Sequence, residues 1–399
     1  MHDPARLLHY TARQEAKATM TPRGTMAFAC SGFLALGIIL ASLGPALPDL
    51  ARATGAPLAA LGGLLSLIFL GGLVAQLMSG PLTDRFGPRP VLTGGLFLLG
   101  VGTLGIVLSK ALWITFAVAA ILGLGHGTIG VSYSLLIART FPDRTVPALN
   151  LLNLFYGIGA IVGPAFASYL IRSVGSAVPA LWLGLAVVAL AIPFGFRLPN
   201  YVKVTAKAAA TPIGNVLRMP AFWLAGALLL TYVGTESSVA AWTTHYLQAM
   251  AGQPQATGAL LTSGFWAAVT VGRLIVTMLG SRFSASTVLF VTLAGGAVGG
   301  ALLAASGTST GLIAAAILLL GFFFAPVYPT GIALTTHLFP GSGTATSLVA
   351  AMASTGGALI PALQGLVQDS AGPYQGMLVV VAGTMLMAVL SLALKLKTR

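Results

Sequence analysis

Apolar residues run through this chain in long blocks, separated by short polar punctuation. A helix needs about 20 consecutive apolar residues to cross a bilayer, and twelve blocks meet that length. They fall at about Thr25–Leu47, Pro57–Met78, Val91–Ser109, Ala111–Ala138, Val146–Ile171, Val178–Phe196, Ala221–Met250, Thr257–Leu279, Thr287–Ala305, Gly311–His337, Thr344–Val367 and Tyr374–Leu394. The pattern predicts an all-α membrane protein with twelve transmembrane helices. Residues 1–24 form a polar, basic tail, and the first block is expected to stay as an uncleaved helix. The two prolines of LGPALPDLARATG, followed by Asp49 and Arg52, are expected to end that helix and emerge into water. GPLTDRFGPRP is expected to be a polar turn after the second helix.

The blocks divide into two sets of six. Residues 25–196 and 221–394 form the sets, 197–220 a basic linker, and 395–399 a second basic tail. Faint repeats relate the sets: Asp84–Gly87 recurs as Ser281–Ser284, 197 positions on. Phe141-Pro142 recurs as Phe339-Pro340, and the run at Gly159 as that at Gly357, each 198 positions on. Three matches nearly in register predict a duplicated, pseudo-symmetric six-helix bundle. Such internal repeats mark secondary transporters, whose sites lie near the midplane between the halves.

Composition agrees. The chain is 57% hydrophobic and 7% charged, where soluble domains carry about 25% charge. A net charge of +13 in a soluble protein would suggest nucleic acid. Here the basic residues are dispersed between spans, and no nucleic-acid partner is expected. Sixteen of the twenty Lys and Arg residues fall on the side of the two termini, so the positive-inside bias puts both termini in the cytoplasm. A cell membrane, in a bacterium the inner one, is the expected setting. Cys30 is the single cysteine, which excludes a disulfide framework. No phosphate-binding Gly-Lys-Ser/Thr loop, metal-ligand cluster or catalytic acid–base pair is present. Neither an enzyme, a metal nor a cofactor is expected.

Candidate chemistry then reduces to a few intramembrane polar groups. Glu236 is the one acid among seven that lies deep in an apolar block, and such residues face a water-filled pathway or a partner. It is the candidate coupling group. Arg273 is the one basic residue well inside a span; it either pairs with Glu236, binds helix-end carbonyls or snorkels. Amides and aromatics within the spans that could line a small-molecule pocket are Asn150, Asn153, Gln364 and His126, with Tyr133, Tyr156, Trp242, Trp266 and Tyr328. His126, among glycines, is either a buried structural residue or a proton relay.

The segment GPLTDRFGPRPVL resembles the signature between helices two and three of the major facilitator superfamily, at Gly80, Leu82, Asp84, Arg85, Gly87, Arg89 and Leu92. Pro88 stands where a basic residue is usual. The resemblance implies two six-helix bundles and a cytoplasmic loop motif (Gly80, Asp84, Arg85, Gly87, Arg89) that latches the halves. TYVGTESSVAAWTTHYL, RTFPDRTVPALNLLNLFYGIGAIVGP and FWAAVTVGRL look like the fucose–galactose–glucose:proton symporter branch. That likeness implies import of a hexose or similar solute driven by a proton or sodium gradient, with no cofactor. It points to Tyr232, Gly234, Glu236 and Trp242, to Asn150, Asn153 and Gly157, and to Gly272 and Arg273. The branch carries an acid within its first helix, and Phe33–Leu47 has none. The rival reading is a proton-driven exporter of small amphipathic molecules on the same fold. A monomer in the bilayer is expected.

Overall fold

A computed structural model describes residues 20–198, 213–279, 283–339 and 343–397. These form twelve helices long and apolar enough to cross a membrane. They are α1 (Pro22–Thr54), α2 (Leu58–Thr83), α3 (Pro88–Leu108), α4 (Leu112–Thr140), α5 (Pro147–Val174), α6 (Val178–Gly195), α7 (Pro220–Ala251), α8 (Gln255–Val276), α9 (Ala285–Ala305), α10 (Thr310–Thr335), α11 (Ala345–Ala371) and α12 (Pro373–Leu396). A short helix, Ile213–Leu217, precedes α7; the rest of the linker and the N-terminal tail before Met20 lie outside the described residues.

The packing repeats with a period of six. In the first half α1 packs on α5 and α6, α2 on α4, and α3 on α4 and α6. In the second, α7 packs on α11 and α12, α8 on α10, and α9 on α10 and α12. The halves meet chiefly through two equivalent pairs, α2 with α11 and α5 with α8, and α1 also touches α7 and α8. Each half buries its own apolar cluster. Even the irregularities are twinned: α4 carries a π-turn at Ile129–Tyr133, and α10 breaks between Phe324 and Val327, about one repeat length further on.

Two elements differ from the sequence expectation. α1 does not stop at its prolines but runs through Pro45 and Pro48 to Thr54, where Gly55 caps it in the left-handed conformation (φ 66°). A proline's fixed φ fits a helix, and membrane helices tolerate the missing amides where packed neighbours accommodate the freed carbonyls. Asp49 is therefore not solvated but 6% exposed. Its carboxylate accepts hydrogen bonds from Arg52 and the Ala177 amide, from Ser176 Oγ (3.0 Å), and from Gln255 Nε2 (3.3 Å). Likewise GPLTDRFGPRP is mostly helical: the helix of α2 continues through Pro81 to Phe86, and α3 begins at Pro88. The whole turn is Gly87, at φ 85°, which only glycine adopts without strain. Arg89 Nε donates to the Leu198 carbonyl (2.6 Å), and Arg85 lies over the Phe86 ring. The Asp84 side chain lies outside those described.

Small residues set the helix spacing, as expected where lipid gives helices no hydrophobic drive to associate. At Gly356 on α11 a Cβ would land on the Leu230 carbonyl of α7, backbone against backbone. Neither side can yield, so Gly356→Ala is expected to cost about 3 kcal/mol, the upper end for overpacking. Thermal unfolding in detergent should show this as a lowered Tm. Gly94→Ala, where a Cβ meets nothing within 4 Å, should leave Tm unchanged.

Candidate functional site

Glu236 lies at the middle of α7, roughly 22 Å from its far end at 1.5 Å per residue. The end of the bundle that carries the termini is here called the terminal face, the other the far face. Arg273, on α8, lies roughly 27 Å from the same face, so the two charges lie within about one helical turn of each other in depth. Tyr232 stands one helical turn before Glu236 on the same side of α7, and its hydroxyl donates to Glu236 Oε1 at 2.6 Å. The Arg273 guanidinium is within electrostatic reach of Glu236 and hydrogen-bonding reach of the Tyr232 hydroxyl. Tyr156 of α5 and Tyr328 of α10 also lie within electrostatic reach of Glu236. The carboxyl group thus sits among aromatic hydroxyls from both halves, with one cation facing it.

Helix ten explains where Arg273 goes. In an unbroken helix the amide of residue 329 would donate to the Ala325 carbonyl, but residue 329 is proline and has no N–H. Arg273 Nε donates to that carbonyl (3.3 Å). Gly272, beside it, lets α8 approach the Phe322 carbonyl, which Pro326 deprives of a helical donor in the same way. Of the alternatives open for Arg273, the helix-end carbonyl and proximity to Glu236 hold together.

The remaining candidates separate into groups. Tyr156 meets Trp266 of α8 edge to face across the interface, with ring centroids 5.8 Å apart, and the buried Trp266 indole N–H has no partner among the described residues. Asn150 and Asn153 are exposed on α5, on the face that carries Gly157, where α5 touches Thr270 of α8. They line the space where the halves part. Tyr328 is 37% exposed. The other candidates sit in packed surroundings. Tyr133 is fully buried in the first half, stacked on Phe28 with its hydroxyl on the Leu92 carbonyl. Trp242 is fully buried against Gly62 and Gly365, its N–H on the Pro361 carbonyl. Gln364 is 1% exposed, with Nε2 on Met377 Sδ. His126 packs edge-on against Phe69, behind Gly72 of α2.

Contacts between the halves are concentrated toward the far face. Ser66 Oγ donates to the Ala358 carbonyl (2.5 Å), Ser168 Oγ to the Ala256 carbonyl (2.8 Å), and Ser263 Oγ to the Ile161 carbonyl (2.7 Å). Gln255 Nε2 bonds both Asp49 and the Pro45 carbonyl (2.9 Å). Toward the terminal face the corresponding stretch Asn150–Leu154 of α5 is largely exposed, as are Leu274, Ile275 and Met278 on α8. Sequence reasoning missed Asp49 and Gln255 because both stand beside prolines that read as turn. It also missed Pro326 and Pro329, although a proline-interrupted apolar block is the pattern that marks a transporter's broken helix.

Twinned six-helix bundles that meet around a central polar group are the architecture of secondary-active transporters of small solutes. The chain belongs to the Major Facilitator Superfamily, whose family profile matches residues 28–258 and 251–399. It is 27% identical over 369 residues to an uncharacterized transporter, y4wD, of Sinorhizobium fredii, covering 92% of this chain and 97% of that protein. It is 25% identical over 347 residues to a glucose/galactose transporter of Brucella abortus, covering 77% and 79%. Multidrug resistance protein D of Escherichia coli is 33% identical over 127 residues, 31% of this chain and 30% of that protein. Among solved structures, a variant of the nucleoside transporter NupG superposes with a TM-score of 0.75 at 14% identity, covering 95% of this chain and all of that one. The Escherichia coli fucose:proton symporter FucP gives 0.66 at 18% identity, covering 92% and 98%. These two likenesses carry the fold.

Proposed function

We propose that this protein imports a neutral, polyhydroxylated solute of sugar size, coupled to a proton through Glu236. One observation carries the reading: the mid-membrane carboxyl group of Glu236 is bonded by Tyr232 and faced by Arg273, Tyr156 and Tyr328. One acid opposite one base leaves the site without net charge, which suits a neutral solute. Phenol and amide groups, with Asn150 and Asn153 on the approach, offer hydrogen bonds in the pattern that polar small-molecule sites use. The glucose/galactose relative supports the same solute class. The open terminal face is read as cytoplasmic from the placement of basic residues, which makes this the inward-facing arrangement, in a bacterial inner membrane with both termini inside.

The test is a panel of radiolabelled solutes offered to proteoliposomes with and without an inward proton gradient, sodium replaced by choline. The expected result is gradient-driven uptake of a hexose or related polyol, unaffected by choline. Uptake that needs sodium would replace the coupling ion. A panel in which only amphipathic cations move, outward, would replace the solute and the direction.

A further inference from the structure

We propose that Arg273 is the positioning residue that links the carboxyl group of α7 to the break in α10. This rests on Glu236 being the group whose charge changes during transport. The break exists because Pro326 and Pro329 each remove an amide donor from one turn of helix. The Thr330 amide still bonds the Pro326 carbonyl (3.0 Å), so helix resumes at once and Val327–Leu338 is a unit of its own. That unit carries Tyr328, which lies within electrostatic reach of Glu236. What joins it to the preceding helix is the backbone at Ala325 and Pro326, and the Ala325 carbonyl is held from outside by Arg273 Nε.

A guanidinium presents five donors in a planar fork, so it spans two acceptors that a backbone amide cannot. Here they are the Ala325 carbonyl on one side and the Tyr232–Glu236 pair on the other. Carboxylate and carbonyl compete for it. A charged Glu236 draws the guanidinium toward α7 and loosens its hold on Ala325. A neutral carboxyl group, or a solute hydroxyl that takes its place, releases the guanidinium onto the carbonyl and steadies the α10 unit. The proline at 329 makes this possible: with an amide there, the carbonyl would be satisfied within α10 and the charge on α7 would have no purchase on it. Gly272 supplies the close approach, since a side chain there would push α8 off the Phe322 carbonyl.

Amide hydrogen exchange across Val327–Leu338, read by mass spectrometry on the full-length protein in detergent, reports how firmly this unit is held. Glu236→Gln is expected to slow exchange there by about tenfold, and Arg273→Lys, which keeps the charge but loses the fork, to speed it by a similar factor, the scale of one charge-assisted hydrogen bond. In the Pro329→Ala background, where the carbonyl regains a helical donor, both effects should vanish. Non-additivity of this kind is the mark of coupled residues. Equal responses with and without Pro329, or no response to Arg273→Lys, would overturn the link. Failure of the coupling reading shows elsewhere, as undiminished uphill accumulation by Glu236→Gln, so the two can be told apart. If Pro329→Ala does not fold, Pro329→Ser tests the same donor.

Discussion

Glu236→Gln is expected to abolish uphill accumulation while leaving exchange of the same solute running. One proton per cycle makes a one-unit pH gradient worth about tenfold accumulation, since one unit is about 1.4 kcal/mol. Without a titrating group the carrier can only equalise concentrations, and that tenfold falls to none. Exchange survives because a loaded carrier can alternate without a proton moving. Gln keeps the size of the side chain and an acceptor for the Tyr232 hydroxyl, at the cost of exchanging a charged acceptor for a neutral one. That difference is about 1 kcal/mol, so exchange should slow by about fivefold. A carboxyl group that titrates during exchange also gives the exchange rate a pH dependence, and Gln should flatten it. The groups facing it are Tyr232, Arg273, Tyr156 and Tyr328; none of the tyrosines carries an ordinary titration near neutral pH, so a surviving neutral-range profile would point away from this site. A merely structural Glu236 predicts loss of folded protein and of binding at every pH. A Gln variant that concentrates solute as well as the parent ends the coupling role.

Much of this was legible from the order of residues alone, for a physical reason. A helix in lipid must satisfy its own backbone, so an apolar block of sufficient length has one conformation open to it, and the twelve spans follow, although α1 and α2 run on well past the expected ends at Leu47 and Met78. The duplication was visible in Gly159 and Gly357 because close helix approach tolerates little substitution: Gly159 meets the Leu34 carbonyl and Gly357 the ring of Phe69. Glu236 could be picked out because the cost of a buried carboxylate leaves so few of them. The site around it was legible only in part. An isolated Tyr or Trp in a span carries no sign of which way it points. Tyr156 and Tyr328 come within electrostatic reach of Glu236, whereas Tyr133 stacks on Phe28 and Trp242 fills the gap beside Gly62 and Gly365. Rotation about the helix axis decides between these, and packing against neighbours sets that rotation. Asp49 was misread for another reason. Two prolines three residues apart look like an exit from a helix, yet proline's φ is helical, and the deciding interactions come from Ser176 and Gln255, remote in the chain.

Asp49 carries the second large expected effect. Three of its four donors, Arg52, Ser176 Oγ and the Ala177 amide, belong to the first half, and Gln255 belongs to the second. Its carboxylate therefore does two jobs: it ties α1 to the turn before α6, and through Gln255 it ties that corner to the start of α8, closing the far face. Asp49→Ala leaves the buried Ala177 amide without its acceptor, at about 1–3 kcal/mol, and frees the half-buried Ser176 hydroxyl at a smaller cost. The variant should lose stability and open the far face together. Gln255→Ala separates the two jobs, because it removes only the bonds to Asp49 and the Pro45 carbonyl. Stability of the first half should then hold while the closed arrangement loses about 1–2 kcal/mol, a shift of roughly tenfold in the balance of open and closed forms. A cysteine at Ala259 reads that balance. Ala259 is fully buried on the face of α8 that bonds α5 through Ala256 and Ser263, and the native Cys30, itself buried, is replaced by Ala. In Gln255→Ala, Ala259→Cys should react with an impermeant maleimide from the far side about ten times faster than in the parent, and faster still in Asp49→Ala. Solute that stabilises the inward-open form should slow it again. Equal labelling in all three proteins would mean that the serine–carbonyl bonds alone close the far face, and the carboxylate of Asp49 would then be no more than a brace within the first half.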